Sequence, residues 1–427
     1  MNLQRALQQR DAHVIIVGLG YVGVPLAIEV ADAGFTVSGL DIDKEKTDLL
    51  AKGETDLVDV DPSRLSRLVT EGRFTPTTDP SCLAKADVVV VCVPTPLRSE
   101  SPDMSYIEAA ASKITEFLHD GQLIILESTT YPGTTEELLL TKLESSGLKA
   151  GIDFHLGFSP ERIDPGNDSF GLRNVPKIVG GINDESSDLM EAFYSCFVGS
   201  VVKVSSPRTA EMAKLLENTY RHVNIALVNE IAMLCHDLGI DVWEVIDAAS
   251  TKPFGFQPFY PGPGWGGHCI PVDPAYLSWR VRQVGATARF VELAREFNQK
   301  MPEYVVQRVA EALNMGGKSL KGSRVMVLGV AYKPGVGDVR ESPAIEMIER
   351  LHKAGADVAF NDPYVPTLGL KSGDLHSTGL DEIGAFDIVV VHTDHQNYDW
   401  NHVGASARLV LDTRNALKGT KGNVIRL

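Results

Sequence analysis

Cysteine is scarce in this chain of 427 residues, which contains five: Cys82, Cys92, Cys196, Cys235 and Cys269. The number is odd and no two of them have C-x-x-C spacing, so the sequence indicates neither a disulfide framework nor a structural zinc site. We therefore expect a reducing, cytoplasmic setting and predict no metal site.

Long apolar runs and an excess of positive charge are also missing. No uninterrupted apolar run reaches the roughly eighteen residues of a membrane-spanning helix, and residues 1–13 lack the apolar segment of a secretory signal. The net charge of -16 argues against a nucleic-acid or anionic-membrane partner, which requires a basic surface. With 44% hydrophobic and 22% charged residues, the chain has a globular composition and a length typical of two or three domains.

The N-terminal region has the pattern of a strand, a glycine turn and a helix. The β-branched run 13–17 leads into G-L-G-Y-V-G, and an apolar helical pattern follows from Pro25. In such a turn Gly18 would make the tight bend, Gly20 would let the backbone approach a pyrophosphate, and Gly23 would let helix and strand pack closely. The segment predicts a dinucleotide site.

A carboxylate follows at the spacing that this site requires. The second strand, 35–40, leads into Asp41, eighteen residues after Gly23. An acid at this position receives the hydroxyls of the adenosine ribose. Because no arginine follows it directly, the sequence favours NAD over NADP.

Further strands end in polar residues. The apolar runs 86–93 and 123–127 are typical of parallel strands covered on both faces, and they place Thr95 and Thr129 at carboxyl ends, where open α/β sheets bind ligands. An ordinary cap or turn role is the alternative for both threonines. A third strand, 154–158, leads to Glu161, which taken alone is more typical of a solvated loop acid than of a catalytic base.

The middle of the chain is helical and surrounds an unusual loop. A helix over 209–236 carries a polar stripe on one face, which either faces solvent or faces the loop 259–274. The residues of the stripe are Glu211, Lys214, Asn218 and Arg221. Further helices from 242 and over 289–312 complete a helical block of a kind that often forms a dimer interface.

The loop 259–274 reads F-Y-P-G-P-G-W-G-G-H-C-I-P-V-D-P. Proline fixes φ and glycine permits positive φ, so the alternation predicts a shaped backbone whose amides approach a ligand. Cys269 is a candidate nucleophile in this loop, with a buried packing thiol as the alternative.

The βαβ pattern returns after residue 323 without a glycine fingerprint. Strands at 324–329, 357–360, 387–392 and 408–411 place Lys333, Arg340 and Arg414 near strand ends. They predict an anion site suited to a nucleoside diphosphate, with plain surface charge as the alternative.

The predicted fold class is therefore α/β, with two Rossmann-like doubly wound domains joined by a central all-helical segment. The predicted domains are 1–208 for NAD binding, 209–312 for the helical segment with the cysteine loop, and 313–427 for the second Rossmann-like domain.

Eight motifs together resemble the UDP-glucose/GDP-mannose dehydrogenase family, in the order of the family and over nearly the whole chain. They are G-L-G-Y-V-G, V-P-T-P, S-T-T-Y-P-G-T, S-P-E-R, E-M-A-K-L-L-E-N, G-G-H-C-I-P-V-D-P, A-Y-K-P-G-V-G-D-V-R-E-S-P and D-T-R-N. A histidine before the cysteine and the F-Y-P-G-P-G segment look most like the branch that oxidises UDP-N-acetylhexosamines, notably UDP-N-acetylglucosamine. UDP-glucose and UDP-N-acetylmannosamine are the alternative substrates.

The resemblance implies two successive oxidations at the sugar C6, with two NAD reduced per product. It makes Cys269 the nucleophile that captures the aldehyde, and Lys214 and Asn218 the pair that stabilises oxyanions. It assigns water activation to Asp273 with Thr129 nearby, and a base role in thioester hydrolysis to Glu161.

Two departures from the UDP-glucose branch weaken UDP-glucose as the substrate. That branch has a second glutamate four residues after the first, where this chain has Pro165. It also has an arginine before the glycine loop, donated from a partner subunit, where this chain has Phe259 and Tyr260.

The resemblance further implies binding residues for both ligands. Those for NAD are Gly18, Gly20, Tyr21, Val22, Gly23, Asp41, Lys46, Thr95, Thr129 and Arg340. Those for the UDP-sugar are Glu161, Arg162, Lys214, Asn218, Tyr260, Gly264, Gly266, Gly267, Lys333 and Arg414. A homodimer or higher homo-oligomer through the central helices is expected.

Two other classes of function compete with this one. A single-step hydroxyacid dehydrogenase would form one NADH per product and would tolerate Cys269→Ala. A non-catalytic NAD-binding regulator would require the Cys, Lys, Asn and Asp positions to coincide by chance.

Overall fold

The computed structural model describes residues 3–57, 60–98, 101–162, 171–267, 270–420 and 422–427. The chain divides into two compact units. The first unit comprises Met1–Glu217 and Ala275–Ala286, and the second comprises Asn218–Pro274 and Thr287–Leu427.

The first unit contains an eight-stranded sheet. In spatial order its strands are Val201–Lys203, Lys177–Gly181, His155–Phe158, Leu123–Leu126, Val88–Val91, His13–Val17, Thr36–Leu40 and Phe74–Thr77. Every neighbouring pair is parallel except His155–Phe158 with Lys177–Gly181.

Both faces of this sheet are buried, because alternate side chains of its central strands enter different cores. Val14 and Ile16 belong to one hydrophobic cluster, whereas Ile15 and Val17 belong to another. This is why the strands read as continuous apolar runs rather than as alternating patterns.

Helices connect these strands. Before residue 207 they are Leu3–Gln9, Gly23–Asp32, Lys44–Ala51, Pro62–Thr70, Ser105–Phe117, Thr141–Leu143 and Asp184–Tyr194. Shorter turns are the 3-10 segments Pro80–Lys85 and Glu144–Ser146 and the π-helical segment Thr135–Leu140. The strands Leu97–Arg98 and Ser101–Pro102 pair separately.

The second unit contains a five-stranded sheet in which all neighbours are parallel. In spatial order its strands are Asp357–Asn361, Arg324–Leu328, Ile388–Val391, Val410–Asp412 and Val424–Arg426. Val325 and Val327 enter one core, whereas Met326 and Leu328 enter another, so this sheet is also covered on both faces.

The remaining helices are Pro207–Leu238, here called the long helix, and Val242–Ser250, Asp273–Gln283, Arg289–Met315, Pro343–Lys353 and Trp400–Ser406. Leu380–Ala385 is a 3-10 segment, and Thr367–Leu368 pairs with Leu375–His376. None of the helices in the described ranges combines the length and apolar character needed to cross a membrane.

The predicted fold class is confirmed, since two parallel-type sheets covered by helices flank helical segments in the sequence. The helix predicted over 209–236 is Pro207–Leu238, and the helix predicted over 289–312 is Arg289–Met315. The helix Asp273–Gln283 was not predicted and begins inside the cysteine loop.

Candidate active site

The glycine turn after the first strand has the geometry that its sequence predicts. Gly18 has φ +94° and donates its N–H to the Leu40 carbonyl at 2.8 Å. A Cβ on Gly23 would overlap the Gly18 carbonyl oxygen, whereas a Cβ on Gly20 would meet no described atom within 4 Å. Gly18 and Gly23 therefore serve the turn and its packing, and Gly20 leaves the backbone approachable.

Asp41 follows the second strand and faces this turn. Its Oδ2 accepts the Leu19 N–H at 2.7 Å and lies 3.3 Å from the Lys46 Nζ, while its Oδ1 accepts the Asp43 N–H at 3.0 Å. The carboxylate is thus held beside the glycine turn that precedes the helix Gly23–Asp32, the arrangement in which a dinucleotide places its ribose and pyrophosphate.

The other residues of the turn also fit bound NAD. Val22 is the N-cap of the helix Gly23–Asp32 and makes no side-chain cap hydrogen bond, and Tyr21 is exposed. NAD supplies a hydride acceptor when it is bound here.

Two predicted threonines lie beyond the carboxyl ends of neighbouring strands. Thr95 follows Val88–Val91, and its carbonyl accepts the Tyr276 hydroxyl at 2.6 Å. Thr129 is half-buried after Leu123–Leu126, and the adjacent Ser128 hydroxyl donates to the Val93 carbonyl at 2.7 Å. The two strand-end loops are therefore tied to each other.

Glu161 is buried and bonded, so its interpretation as a solvated loop acid is wrong. Its Oε2 lies 3.2 Å from the Lys177 Nζ, and its Oε1 accepts the Arg162 N–H at 2.6 Å. Its backbone carbonyl accepts the Lys214 ammonium at 2.6 Å. The Arg162 guanidinium pairs with Glu217 and donates to the Pro176 carbonyl at 2.6 Å.

Lys177 serves a second carboxylate that sequence reasoning missed. The Glu127 Oε2 lies 3.1 Å from the Lys177 Nζ, and the Tyr194 hydroxyl donates to Oε1 of the same carboxyl. Burial raises the pKa of Glu127 to about 7; Lys177 opposes this rise and Glu161 adds to it. The sequence feature that could have indicated this buried contact is the lysine at the first position of an otherwise apolar strand, Lys177–Gly181.

The polar stripe of the long helix is buried over three of its four residues. The Glu211 carboxylate accepts N–H groups from Gly133 at 2.5 Å and Thr135 at 2.9 Å, and burial raises its pKa to about 7. Lys214 and Asn218 are also buried, whereas Arg221 is exposed. The surface interpretation is therefore wrong for all but the last residue.

Asn218 connects the long helix to the end of the cysteine loop. Its amide donates to the carboxylate of Asp273, and both side chains are buried. Asp273 begins the helix Asp273–Gln283. His268 and Cys269 lie outside the described residues, as do the positions 163–170 that include Pro165.

The loop that leads to the cysteine is held by buried amide side chains. The Gly262 N–H donates to the Asn229 Oδ1 at 3.0 Å, and the Asn229 amide donates to the Asn298 Oδ1 at 3.0 Å. The Trp265 indole N–H donates to the His222 Nδ1 at 2.7 Å. Burial lowers the pKa of His222, which keeps this nitrogen available as an acceptor.

Glycine is required at three positions of this loop. Gly264 and Gly267 have φ +123° and +86°, and a Cβ on Gly266 would lie 2.8 Å from the Glu341 carbonyl oxygen. Tyr260 is 54% exposed, and its ring stacks at 6.2 Å from that of Trp243.

The three predicted cations of the second sheet have different surroundings. Arg414 donates from Nε to the His392 carbonyl at 2.8 Å, and burial lowers its pKa. Arg340 is exposed and bonds Asp338, and the Lys333 ammonium lies 5.8 Å from the Tyr332 ring centroid. Plain surface charge is therefore wrong for Arg414, whereas ligand binding by Arg340 stays a prediction.

Asp362 occupies in the second sheet the position that Asp41 has in the first, directly after the second strand of the βαβ unit. Its carboxylate accepts five hydrogen bonds. Four come from the backbone N–H groups of Val330 at 2.7 Å, Ala331 at 3.2 Å, Tyr364 at 2.8 Å and Val365 at 3.1 Å, and the fifth comes from His395 Nε2 at 3.0 Å. Burial alone would raise the pKa of Asp362, but these bonds hold it below its usual value.

The four described cysteines are free thiols. Within the described ranges, no three His, Cys, Asp or Glu side chains are grouped to hold a metal ion.

Three domain families match the chain in succession. They are the NAD binding domain of the UDP-glucose/GDP-mannose dehydrogenase family at residues 12–198, its central domain at 208–300 and its UDP binding domain at 326–419. The domain bounds predicted from the sequence stay predictions.

Individual proteins are similar over nearly their whole lengths. The UDP-N-acetyl-D-mannosamine dehydrogenase of Pyrococcus horikoshii is 34% identical over 411 residues, which are 95% of this chain and 96% of that protein. The UDP-N-acetyl-D-glucosamine 6-dehydrogenase of Pseudomonas aeruginosa is 34% identical over 397 residues, which are 91% of this chain and 92% of that protein.

A solved structure shows the same likeness in three dimensions. The UDP-D-ManNAc dehydrogenase from Pyrococcus horikoshii matches with a TM-score of 0.89 at 34% identity, over 97% of this chain and 98% of that one. The family and the cofactor expected from the motifs are thereby confirmed. The chain belongs to the UDP-glucose/GDP-mannose dehydrogenase family and is an NAD-dependent nucleotide-sugar dehydrogenase.

Proposed function

We propose that this enzyme oxidises the C6 hydroxyl of a UDP-N-acetylhexosamine to a carboxylate. The overall change is RCH2OH + 2 NAD+ + H2O → RCOO− + 2 NADH + 3 H+. The family, the UDP binding domain and two relatives named for N-acetylated sugars support this substrate class.

The observation that carries the proposal is the pair of buried donors on the long helix. Lys214 and Asn218 stand one turn apart, and the Asn218 amide bonds the buried Asp273, four residues after Cys269 in the chain. An ammonium and an amide held in a buried setting stabilise the negative charge that develops on a C6 oxygen far better than water does.

Cysteine is the residue that turns an alcohol oxidation into an acid-forming reaction. The Cys269 sulfur adds to the C6 aldehyde carbon, and the resulting thiohemiacetal carries the hydride that is lost in the second oxidation. That loss leaves a thioester. A water oxygen then bonds to the acyl carbon, the C–S bond breaks, and the sulfur departs with the electron pair as a thiolate.

The hydrolytic water loses its proton to a carboxylate of the chain. Glu161 takes this proton in our proposal, and Asp273 and Thr129 orient the water. Glu161 is suited to the role because its carboxylate is buried and held by Lys177, so that it stays aimed in one direction.

Other residues bind the rest of the two ligands. Lys333 and Arg414 hold the diphosphate in our proposal, and Arg340 contacts NAD. Sugar contacts come from Arg162, Tyr260, Gly264, Gly266 and Gly267. UDP-N-acetylglucosamine is the substrate that the F-Y-P-G-P-G segment favours, and UDP-N-acetylmannosamine is a second candidate because relatives with that name match at 34% identity.

A panel of UDP-sugars tests the function. The purified enzyme is given NAD with UDP-N-acetylglucosamine, UDP-N-acetylmannosamine or UDP-glucose at equal concentration, and NADH formed per sugar consumed is measured. We expect two NADH per sugar, with an N-acetylated sugar turned over fastest, and no acid from a Cys269→Ala variant that retains the wild-type circular dichroism. One NADH per sugar, or fastest turnover of UDP-glucose, would contradict the proposal.

A further inference from the structure

Beneath the first sheet's carboxyl edge lies a buried charged group that the proposed function leaves unexplained. It consists of Glu127, Glu161 and Lys177, with Tyr194 against Glu127, and each of these side chains is at most 10% exposed. Glu127 and Glu161 follow two different strands, Lys177 begins a third strand and Tyr194 ends a helix, so the assembly of the group depends on the fold.

Among the described side chains that form it, the group has one cation for two carboxylates. The Lys177 Nζ lies 3.1 Å from the Glu127 Oε2 and 3.2 Å from the Glu161 Oε2. With both carboxyls ionised the group would carry a net negative charge in a buried setting, which is unfavourable. Protonation of one carboxyl removes that charge.

The contacts identify which carboxyl holds the proton. Glu161 has a second donor in the Arg162 N–H at 2.6 Å, whereas the second partner of Glu127 is a neutral phenol. The groups that face Glu127 are Lys177, Glu161, Tyr194 and the buried thiol of Cys92. Burial raises the pKa of Glu127 to about 7, so its charge changes across the neutral range.

We propose that Glu127 and Lys177 are positioning residues for Glu161, with Lys177 fixing its carboxylate and the charge on Glu127 setting how strongly it attracts a proton. While Glu127 is neutral, the positive charge of the Lys177 ammonium acts on Glu161 alone and makes the Glu161 carboxylate a weaker base. When Glu127 ionises, the ammonium is shared and a second negative charge lies nearby, so that Glu161 becomes more basic.

This role rests on the proposed function, in which Glu161 accepts the proton of the water that cleaves the thioester. Thioester hydrolysis should therefore accelerate as Glu127 loses its proton. The two hydride losses that precede it do not require a proton acceptor at Glu161, and they should not follow the same ionisation.

Glu127→Gln tests the role by fixing this side chain in a neutral form of the same shape. Acid formation from UDP-N-acetylglucosamine and, in parallel, UDP-N-acetylmannosamine is measured between pH 6 and pH 9. We expect the variant to form acid at the wild-type rate at pH 6. Its rate should lack the increase that the wild type shows near pH 7, so that it is about three- to tenfold lower than the wild-type rate at pH 8. Mass spectrometry of the quenched protein should show the acyl adduct accumulating.

A second variant shifts the ionisation instead of removing it. Tyr194→Phe keeps the ring but removes the hydrogen bond that favours ionised Glu127. The increase in the rate of acid formation should therefore move to higher pH by about one unit. Glu116→Gln is the matched control, since Glu116 is exposed and pairs with Lys113 at 3.0 Å; its profile should equal that of the wild type.

The outcomes separate this role from the proposed function. Unchanged pH profiles in both variants, with two NADH still formed per sugar, would overturn the role of Glu127 while the function stands. Absence of NADH from every UDP-sugar with the wild-type enzyme would overturn the function and this role with it.

Discussion

Buried carboxylates in this enzyme differ in how completely they are bonded. Asp362 accepts five hydrogen bonds, whereas Glu127 shares one ammonium and accepts one phenol. The first therefore has a lowered pKa and the second a raised one, although both are buried. Burial favours the neutral form of each, so the number of donors decides the direction.

Asp362→Asn tests, through the free energy of unfolding, whether the hydrogen bonds to ionised Asp362 stabilise the fold. A carboxyl whose folded pKa is depressed stabilises the fold above its unfolded pKa of about 3.9, and that contribution is lost as pH falls through the folded value. We expect the variant to be less stable than the wild type by about 1–3 kcal/mol at pH 7, measured by urea unfolding, because its NH2 group cannot accept these hydrogen bonds.

The same measurement at low pH provides the control. As pH falls below the unfolded pKa of about 3.9, the wild type loses the stability that ionised Asp362 contributes, so the gap between the two proteins should narrow. A gap that is equal at both pH values would show that charge on Asp362 contributes nothing.

Single residues were predictable where their partners are close in the sequence or where a motif fixes the spacing. The position of Asp41 beside the glycine turn followed from its spacing. Helical periodicity placed Lys214 and Asn218 on one face but left open whether that face is buried. Lys177 was missed because its partners Glu127 and Glu161 follow other strands, and no local pattern states which strands become neighbours. The sequence shows these charged residues, but it does not show that their side chains are in contact in the fold.

At the scale of elements, the glycine turn shows that two glycines of one motif have different physical tasks. A Cβ at Gly23 would overlap the Gly18 carbonyl, whereas a Cβ at Gly20 would meet no described atom within 4 Å. Gly23 is therefore needed for folding, and Gly20 is needed for the approach of the ligand.

A matched pair of variants separates these tasks. Gly20→Ala should keep the wild-type melting temperature but weaken NAD binding by about tenfold or more in calorimetry, because the new methyl stands where the pyrophosphate approaches. Gly23→Ala should weaken NAD binding and, unlike Gly20→Ala, should also lower the melting temperature by several degrees. Equal melting temperatures for the two variants would contradict this division.

Central strands and long helices were the elements that the sequence specified best. The run Val88–Val91 is buried on both faces and reads as unbroken valine, and the long helix repeats its apolar positions over many turns. Three of the missed strands, Phe74–Thr77, Val201–Lys203 and Val424–Arg426, are short and lie at sheet edges. The interior strand Lys177–Gly181 was missed as well, although it is buried throughout. An edge strand is buried on fewer sides, so its residues carry a weaker pattern.

For the whole molecule, the long helix carries an apolar row that the described chain leaves exposed. Tyr220, Leu227, Leu234 and Leu238 are 46%, 52%, 49% and 72% exposed. Their spacings of seven, seven and four residues place them on one side of a helix. A row of this kind is typical of a surface covered by another chain, which agrees with the expected homo-oligomer through the central helices.

Leu227→Asp with Leu234→Asp tests the oligomeric state. We expect light scattering after size-exclusion chromatography to give at least twice the mass of 46.3 kDa for the wild type and a lower mass for the double variant. Met315→Asp is the control, because Met315 is 75% exposed at the end of another helix. A monomeric wild type would refute the oligomer, and an unchanged mass in the double variant would refute this interface.

The two sheets place an aspartate at the same topological position, but its bonding differs. Asp41 accepts two backbone amides and one lysine, whereas Asp362 is saturated by four amides and an imidazole. A ribose diol that reached the second sheet would find this acceptor already used. A nucleotide that binds at the second sheet must therefore be recognised there through other atoms, such as its phosphates.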